Sequence, residues 1–454
     1  MPERPKVRPE VTAFEGQVVV REEAMRFEVV FTNVGGGIES FQLPSFRERS
    51  SENRATDDPI RLADPILNLP ELEQAYRQMA GLEFLEGTTF ELPDVPVYKV
   101  VERSSEGVKY RFETTSGVVI EREWRVSRDT LLLEGAVTVR NESDRPQTHR
   151  IGLSAALEAT EAMKKGGGFF DNFVPPPDHL QGLCWTSGSV KREAYQGLID
   201  DPESYEGGVR WVAADRQYFV AAMVLRDGVE ADCTLSARGV VVRAQAILPA
   251  TTLSPGEEQR HKFSAYLGVK KPDLLTLSNA DLEAAIDYTI LGMNLAPLCA
   301  LLLWILRQFH ALTGSWGFAI VGLTFLVKLI LFPLNQRQGK SMRAMSALRP
   351  QMEAIREKYP EDRQRQSEEL LKLYRQHNVN PASGCLPILI QMPIWFALYR
   401  SLWVSVDLYQ QGFLWIPDLT ARDPYWASSR SCSRWSCSFS NACCRPRWIR
   451  PNRR

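Results

Sequence analysis

One stretch constrains this chain more than any other. It runs from Trp316 to Pro333 and reads WGFAIVGLTFLVKLILFP. It is apolar for nearly its whole length, and at about 1.5 Å per residue a helix over it matches the ~30 Å hydrocarbon core of a bilayer. A membrane-spanning helix is therefore expected. Lys328 sits inside it. Leaving that charge in lipid costs about 3 kcal/mol or more. The ammonium either snorkels toward the interface, in the direction of Arg337 and Lys340, or faces protein or water. Thr324, one turn earlier on the same face, favours a polar stripe.

Whole-chain averages hide this feature. A formal net charge of -1 over 454 residues suggests a soluble protein. The apolar residues are segregated, however: residues 1 to 275 are mixed and polar, whereas 290 to 405 alternate long apolar runs with a charged block. The length admits two or more domains. Of eight cysteines, Cys184 and Cys233 lie in the first part, Cys299 and Cys385 in the apolar part, and four in the last 28 residues. They show no paired metal-ligand spacing, and five scattered histidines add none, so no metal and no cofactor are expected. Cys184 and Cys233 either pair in an oxidising compartment or remain buried thiols. Met1 is followed by PERPKVRPE, which contains no apolar signal region or first anchor.

Residues 10 to 275 are dominated by strand signals. QVVVREE, MRFEVVFTNV, GVKYRFETTSG, VVIEREWRVS and TLLLEGAVTVRN are rich in Val, Ile, Phe, Tyr and Thr, and many alternate with period two. Gly35-Gly36-Gly37 and Ser116-Gly117 read as turns. A large antiparallel β-sandwich is the natural solution, with one helical interruption near Leu69 to Leu85 and a long loop over Gly166 to Pro177. His149, His179 and His261 have no acid or nucleophile at an informative spacing, and no Gly-rich phosphate loop is present. This part reads as a scaffold or interaction domain rather than an enzyme.

The join should hold a helix capped by Ser278 or Asn279 and starting at Asp281. The apolar run Leu295 to Leu306 follows. At about 12 residues, and interrupted by Pro297, it is too short to span and best suits an amphipathic helix lying on the membrane, with a second spanning helix as the alternative. After the first span, residues 335 to 383 hold ten Lys or Arg against six Asp or Glu, whereas residues 407 to 425 hold three Asp and one Arg. The positive-inside rule puts the basic block in the cytoplasm and the β-domain on the other side. Within the block, Met342, Met345, Leu348, Met352, Ile355 and Tyr359 recur at helical spacing until Pro360. A second helix presents Gln366, Leu370, Leu373 and His377, so the pair predicts a helical hairpin. The methionine stripe is either its seam or an adaptable contact surface. A second span, GCLPILIQMPIWFALYRSLWVSV, carries Gln391 and two prolines whose polar groups need protein or water partners.

Together, WGFAIVGLTFLVKLILFPL, the Met-rich basic helix, NVNPASGCLPILIQMPIWFALYRSLWVSVDL and FLWIPDLTARDPYW resemble the YidC membrane protein insertases of the YidC/Oxa/Alb family. The resemblance extends upstream through LSPGEEQRHKFSAYLGVKKPDL. It implies a periplasmic supersandwich-like β-sandwich over 1–275, an interfacial helix over 280–312, and a transmembrane helix over 315–335. A cytoplasmic hairpin over 336–383, a second transmembrane helix over 384–406 and a periplasmic loop over 407–426 follow. It also implies a hydrophilic cationic groove in which Lys328 stands where the family usually has Arg, with Thr324 and Gln391 at groove-facing positions. Met342, Met345 and Met352 are client-contact candidates. The implied partners are nascent membrane proteins, the Sec translocon, the ribosome and the lipid bilayer of the bacterial inner membrane, with no nucleic-acid specificity.

A family member would also carry a first anchor and three further spans, which this reading does not find. The tail 427–454 is dense in Ser, Arg, Cys and Trp. Reading it one frame over yields an apolar helix, so a frameshift near Ala427 is expected. The alternative reading is a membrane-anchored carbohydrate-binding or mutarotase-like β-sandwich protein, which leaves Lys328 and Thr324 unexplained. A secondary transporter would show more spans and internal repeats.

Overall fold

The computed structural model describes residues 9–20, 23–49, 55–65, 70–127, 129–159, 179–226, 228–290, 292–360, 362–377 and 382–421. The expected Gly166–Pro177 loop and the tail from 427 fall outside the described residues. Among the described residues up to Val269, the strands form antiparallel sheets, as the period-two runs predict. Nine strands make the largest sheet. In spatial order they begin at Ser189, Leu180, Val209, Phe219, Glu258, Leu132, Val118, Gly107 and Lys99. A five-stranded sheet, with strands beginning at Glu203, Asp232, Val241, Ile151 and Gly81, packs face to face on its Leu180 and Val209 strands. A four-stranded meander from Val11 to Ala63 packs alongside.

Aromatic side chains tie these sheets together. Trp124 lies 5.2 Å from Phe31 of the meander and 5.3 Å from Phe263 of the nine-stranded sheet, between ring centroids. All three are buried, and burying each stabilises the fold by about 2–3 kcal/mol. The triple glycine forms the expected turn for a reason beyond flexibility. Gly35 and Gly36 have φ of 71° and 63°, and their carbonyls accept from Arg122 Nη1 at 2.6 Å and Trp124 Nε1 at 2.9 Å. A Cβ on Gly36 would sit 3.0 Å from Arg122 Cδ.

Helices follow the strands. α1 (Glu71–Arg77), α2 (Tyr195–Asp200) and α3 (Pro272–Leu275) are short and belong to the β-domain. The longer ones are α4 (Ala296–Thr313), α5 (Trp316–Ala347), α6 (Arg349–Lys358), α7 (Arg363–Gln376) and α8 (Ala382–Val404). Three local expectations are corrected. No helix starts at Asp281: Asn279 and Asp281 adopt left-handed backbone, φ 52° and 56°, which limits the region to the 3-10 turn Leu282–Ala285. Pro297 does not interrupt α4. It stands in the first helical turn, where its missing N–H costs nothing, and the helix reaches 18 residues rather than about 12. The helix expected from Met342 to Tyr359 is divided at Leu348, because Pro350 is accommodated only in the first turn of a new helix, α6.

α4, α5 and α8 form one cluster around Cys299, Leu302, Leu303, Leu306, Trp316, Ala319, Leu323 and Ala397. On α5, Phe318, Val321, Phe325, Leu329 and Phe332 form an exposed stripe, and α4 exposes Leu301, Trp304 and Leu312. Apolar surface of this extent, on helices 18 or more residues long, fits a lipid environment, and both α4 and the Trp316–Pro333 part of α5 are long and apolar enough to cross a membrane.

Candidate functional site

The candidate groove residues lie on α5 and α8. α8 returns antiparallel to α5: just beyond its end, Phe413 packs on Phe318 with ring centroids 5.1 Å apart, against the first turn of α5. Lys328 lies five residues beyond Leu323 on α5 and Gln391 six residues before Ala397 on α8, with Leu323 and Ala397 both belonging to the shared cluster. Thr324 is half-buried, and its Oγ1 donates to Ile320 O at 2.8 Å, so its own helix satisfies the hydroxyl. Lys328 is exposed, on the same strip as Phe325, Leu329 and Phe332 and uncovered by α4 or α8. Gln391 is half-buried. These residues border an open flank; they do not line an enclosed cavity among the described residues.

Met352 is half-buried on α6 and accepts from Tyr374 Oη of α7 at 3.6 Å, so at least this member of the stripe serves the α6–α7 contact. Met342 and Met345 fall on the last turns of α5, and their side chains lie outside the described residues.

The structure adds a contact that no spacing signalled: an ionic and aromatic clasp between the β-domain and the far end of α8. Asp407 stands between Lys271 Nζ at 3.1 Å and Arg307 Nη2 at 3.1 Å. Burial alone would raise its pKa, but the two cations overcome this and hold the carboxyl below its ordinary range. Arg400 Nη2 reaches Asp287 Oδ2 at 2.6 Å and its Nε the Asp287 carbonyl at 2.8 Å. Arg49 pairs with Asp418 at 2.8 Å while its guanidinium lies 4.4 Å over the Tyr409 ring. Tyr409 Oη donates to Arg47 O at 2.8 Å, and Val404, Val406 and Tyr409 join the β-domain core. The only hint in the sequence was the acidic character of residues 407 to 425.

Inside the β-domain, distant histidines do acquire partners. His149 Nε2 lies 3.1 Å from His261 Nε2, and His179 Nε2 lies 4.0 Å from the buried Asp215, whose carboxylate is held by Lys270 at 2.8 Å and Gln181 at 2.8 Å. Among the described residues, no group of three or more His, Cys, Asp or Glu is arranged to hold a metal ion. A cleft of about 700 Å³ opens on the nine-stranded sheet, lined by Arg125, Glu134, Arg226 and Ser264 among others. It is unconnected with the helical flank.

Comparison with known proteins bears on the whole arrangement. Residues 19–301 match the family model described as the YidC periplasmic domain, and residues 308–440 that of the 60Kd inner membrane protein. The membrane protein insertase YidC of Anaeromyxobacter dehalogenans strain 2CP-C is 39% identical over 264 residues, covering 58% of this chain and 47% of the relative. That of Citrifermentans bemidjiense is 29% identical over 408 residues, covering 88% of this chain and 72% of the relative. The chain thus spans about half the length of the Anaeromyxobacter relatives it matches. Among solved structures, a galactose mutarotase-like protein from Lactobacillus casei aligns over 56% of this chain and 99% of its own, at 11% identity and a TM-score of 0.36. That likeness is too distant to carry an argument. With the periplasmic-domain family model alone covering well over half of its residues, the chain belongs to the YidC family.

Proposed function

We propose that this chain contributes the β-domain and the first helices of a membrane protein insertase and chaperone, one that helps integral proteins enter and fold in the bacterial inner membrane. The observation that carries the reading is the exposed face of α5, where Lys328 lies among the lipid-like side chains Phe325, Leu329 and Phe332. A client helix with a short polar flank has to move that flank through hydrocarbon. A cationic, wet recess partway across solvates the flank and draws in acidic tails, while the apolar neighbours release the client sideways into lipid. The drive is the client's own apolar transfer and the membrane potential.

The clasp supports the expected topology. The β-domain is bound at the C-terminal end of α8, whereas the basic block leaves α5 and enters α8 at the opposite end. With the block in the cytoplasm, the β-domain lies in the periplasm. α4 packs on the first half of α5, through Trp316, Ala319 and Leu323, and on the last part of α8. This suits a helix lying in the outer leaflet, although its length would suffice to span. α6 and α7 form the cytoplasmic hairpin in this reading, with Met342, Met345 and Met352 as contacts for nascent membrane proteins delivered by the ribosome or handed over by the Sec translocon.

The test places Lys328→Glu in a full-length insertase background and measures insertion of a single-span client with an acidic translocated tail against the same client with a neutral tail. A selective loss with the acidic tail is expected. Equal insertion of both clients would remove Lys328 from the proposal.

A further inference from the structure

Two buried thiols take no part in the groove or the clasp. Cys184 sits in the strand Leu180–Thr186 of the nine-stranded sheet and Cys233 in the strand Asp232–Arg238 of the five-stranded sheet, both 0% exposed. Alternate residues of a strand share a face, so Gly182, Cys184 and Thr186 look the same way, as do Cys233 and Leu235. At one end, a Cβ on Gly182 would lie 3.3 Å from Leu235 Cδ2. At the other, Thr186 Oγ1 donates to Gly207 O at 2.6 Å, and Gly207 N–H donates to Asp232 Oδ1 at 2.9 Å. The two strands therefore cross the sandwich antiparallel and face to face. One step of two residues from Gly182 and from Leu235 brings Cys184 onto Cys233. Both are free, buried thiols, and burial, reinforced by the neighbouring Cys184, pushes the Cys233 thiol up.

We propose that Cys184 and Cys233 form a disulfide that staples the two sheets of the β-domain. The proposal rests on the periplasmic placement of this domain, since disulfides persist in oxidising compartments. The oxidant is a protein disulfide acting by thiol–disulfide exchange. One cysteine thiolate attacks it and releases a thiolate of the oxidant. The second cysteine thiolate then attacks the mixed disulfide, forming the Sγ–Sγ bond and releasing the oxidant's other thiolate. Two cysteine thiols lose two electrons and two protons, and the oxidant leaves as a dithiol. Burial suppresses the thiolate in the folded domain, so the exchange takes place before the sheets close.

The full chain supplies the test. Thiols in membranes from growing cells are trapped with acid, alkylated with N-ethylmaleimide in denaturant, and digested with trypsin. Residues 166–191 and 227–238 are then released as peptides holding one cysteine each. The expected result is a single species joining the two, split by reductant, and absent from Cys184→Ala. Reduction should also lower the melting temperature of the wild-type chain by roughly 10 °C while leaving Cys184→Ala unchanged. A parallel sample is unfolded in urea and refolded in detergent with reduced and oxidised glutathione. Alkylated, unjoined peptides from both the cells and the refolded sample overturn the pairing. Joined peptides after refolding but alkylated ones from cells overturn the periplasmic placement on which the proposal rests and leave the pairing geometry standing.

Discussion

Asp407→Ala tests the clasp between the β-domain and the helical layer. In the wild type the carboxylate compensates two cations, Lys271 and Arg307, each 3.1 Å away. The Lys271 side chain is 10% exposed, so on truncation its charge stays where water screens it poorly. Removing one partner of a buried pair costs about 3–5 kcal/mol, and the 23% exposure of Arg307 places this case near the lower end, about 3 kcal/mol. For a domain of this size that corresponds to a fall in melting temperature of roughly 6–12 °C, read by thermal unfolding of the detergent-purified chain. Limited proteolysis should cut the join near residues 271 to 290 faster. The double variant Lys271→Ala/Asp407→Ala should lose clearly less than the sum of the single changes, because the orphaned cation is gone. The pH dependence has a definite sign. A carboxyl held below its ordinary range contributes its full stabilisation above the unfolded value of about 4 and loses it as pH falls through the folded value. A shift under about 2 °C for Asp407→Ala, or additive single changes, would refute this account.

Four further outcomes are expected. In a full-length background Lys328→Arg should support insertion, whereas Lys328→Leu should reduce it; normal insertion by both Lys328→Leu and Lys328→Glu would favour simple snorkelling. Cysteines at Asp144 and Ser367, both exposed, should label from opposite sides of the inner membrane, and labelling from one side refutes the topology. His149 is pushed down to about 4 by burial and then by His261, so the unfolded chain binds more protons between pH 6.5 and 4. The β-domain should lose up to about 3 kcal/mol across that window, and a melting temperature equal at pH 7 and pH 4.5 would count against the pair. Resequencing the gene around the codon for Ala427 should reveal a frame that continues as an apolar helix; a stop codon in that frame within the 28-residue tail ends the idea.

Several features of this protein can be read without coordinates because they depend on local pattern. The span beginning at Trp316 and the period-two strand runs are set by how apolar residues repeat along the chain. The placement of Lys328 one turn beyond Thr324 follows from helical pitch alone. Local pattern misjudged the boundaries where a proline's effect depends on its position within a turn. Pro297 reads as an interruption, yet it stands in the first turn of a helix, where it donates nothing that is missed, whereas the helix expected to run through Pro350 is divided there, with Pro350 in the first turn of the new one. What only the tertiary structure decided are contacts between residues far apart in sequence. Asp407 meets Lys271 and Arg307 across separations of more than a hundred residues on one side and exactly one hundred on the other. His149 meets His261 across 112 residues, and Cys184 meets Cys233 only because two sheets close on one another. Sequence spacing carries no trace of such pairs. Their partners are chosen by strand order and sheet packing, which emerge when the apolar faces of the whole chain are buried together.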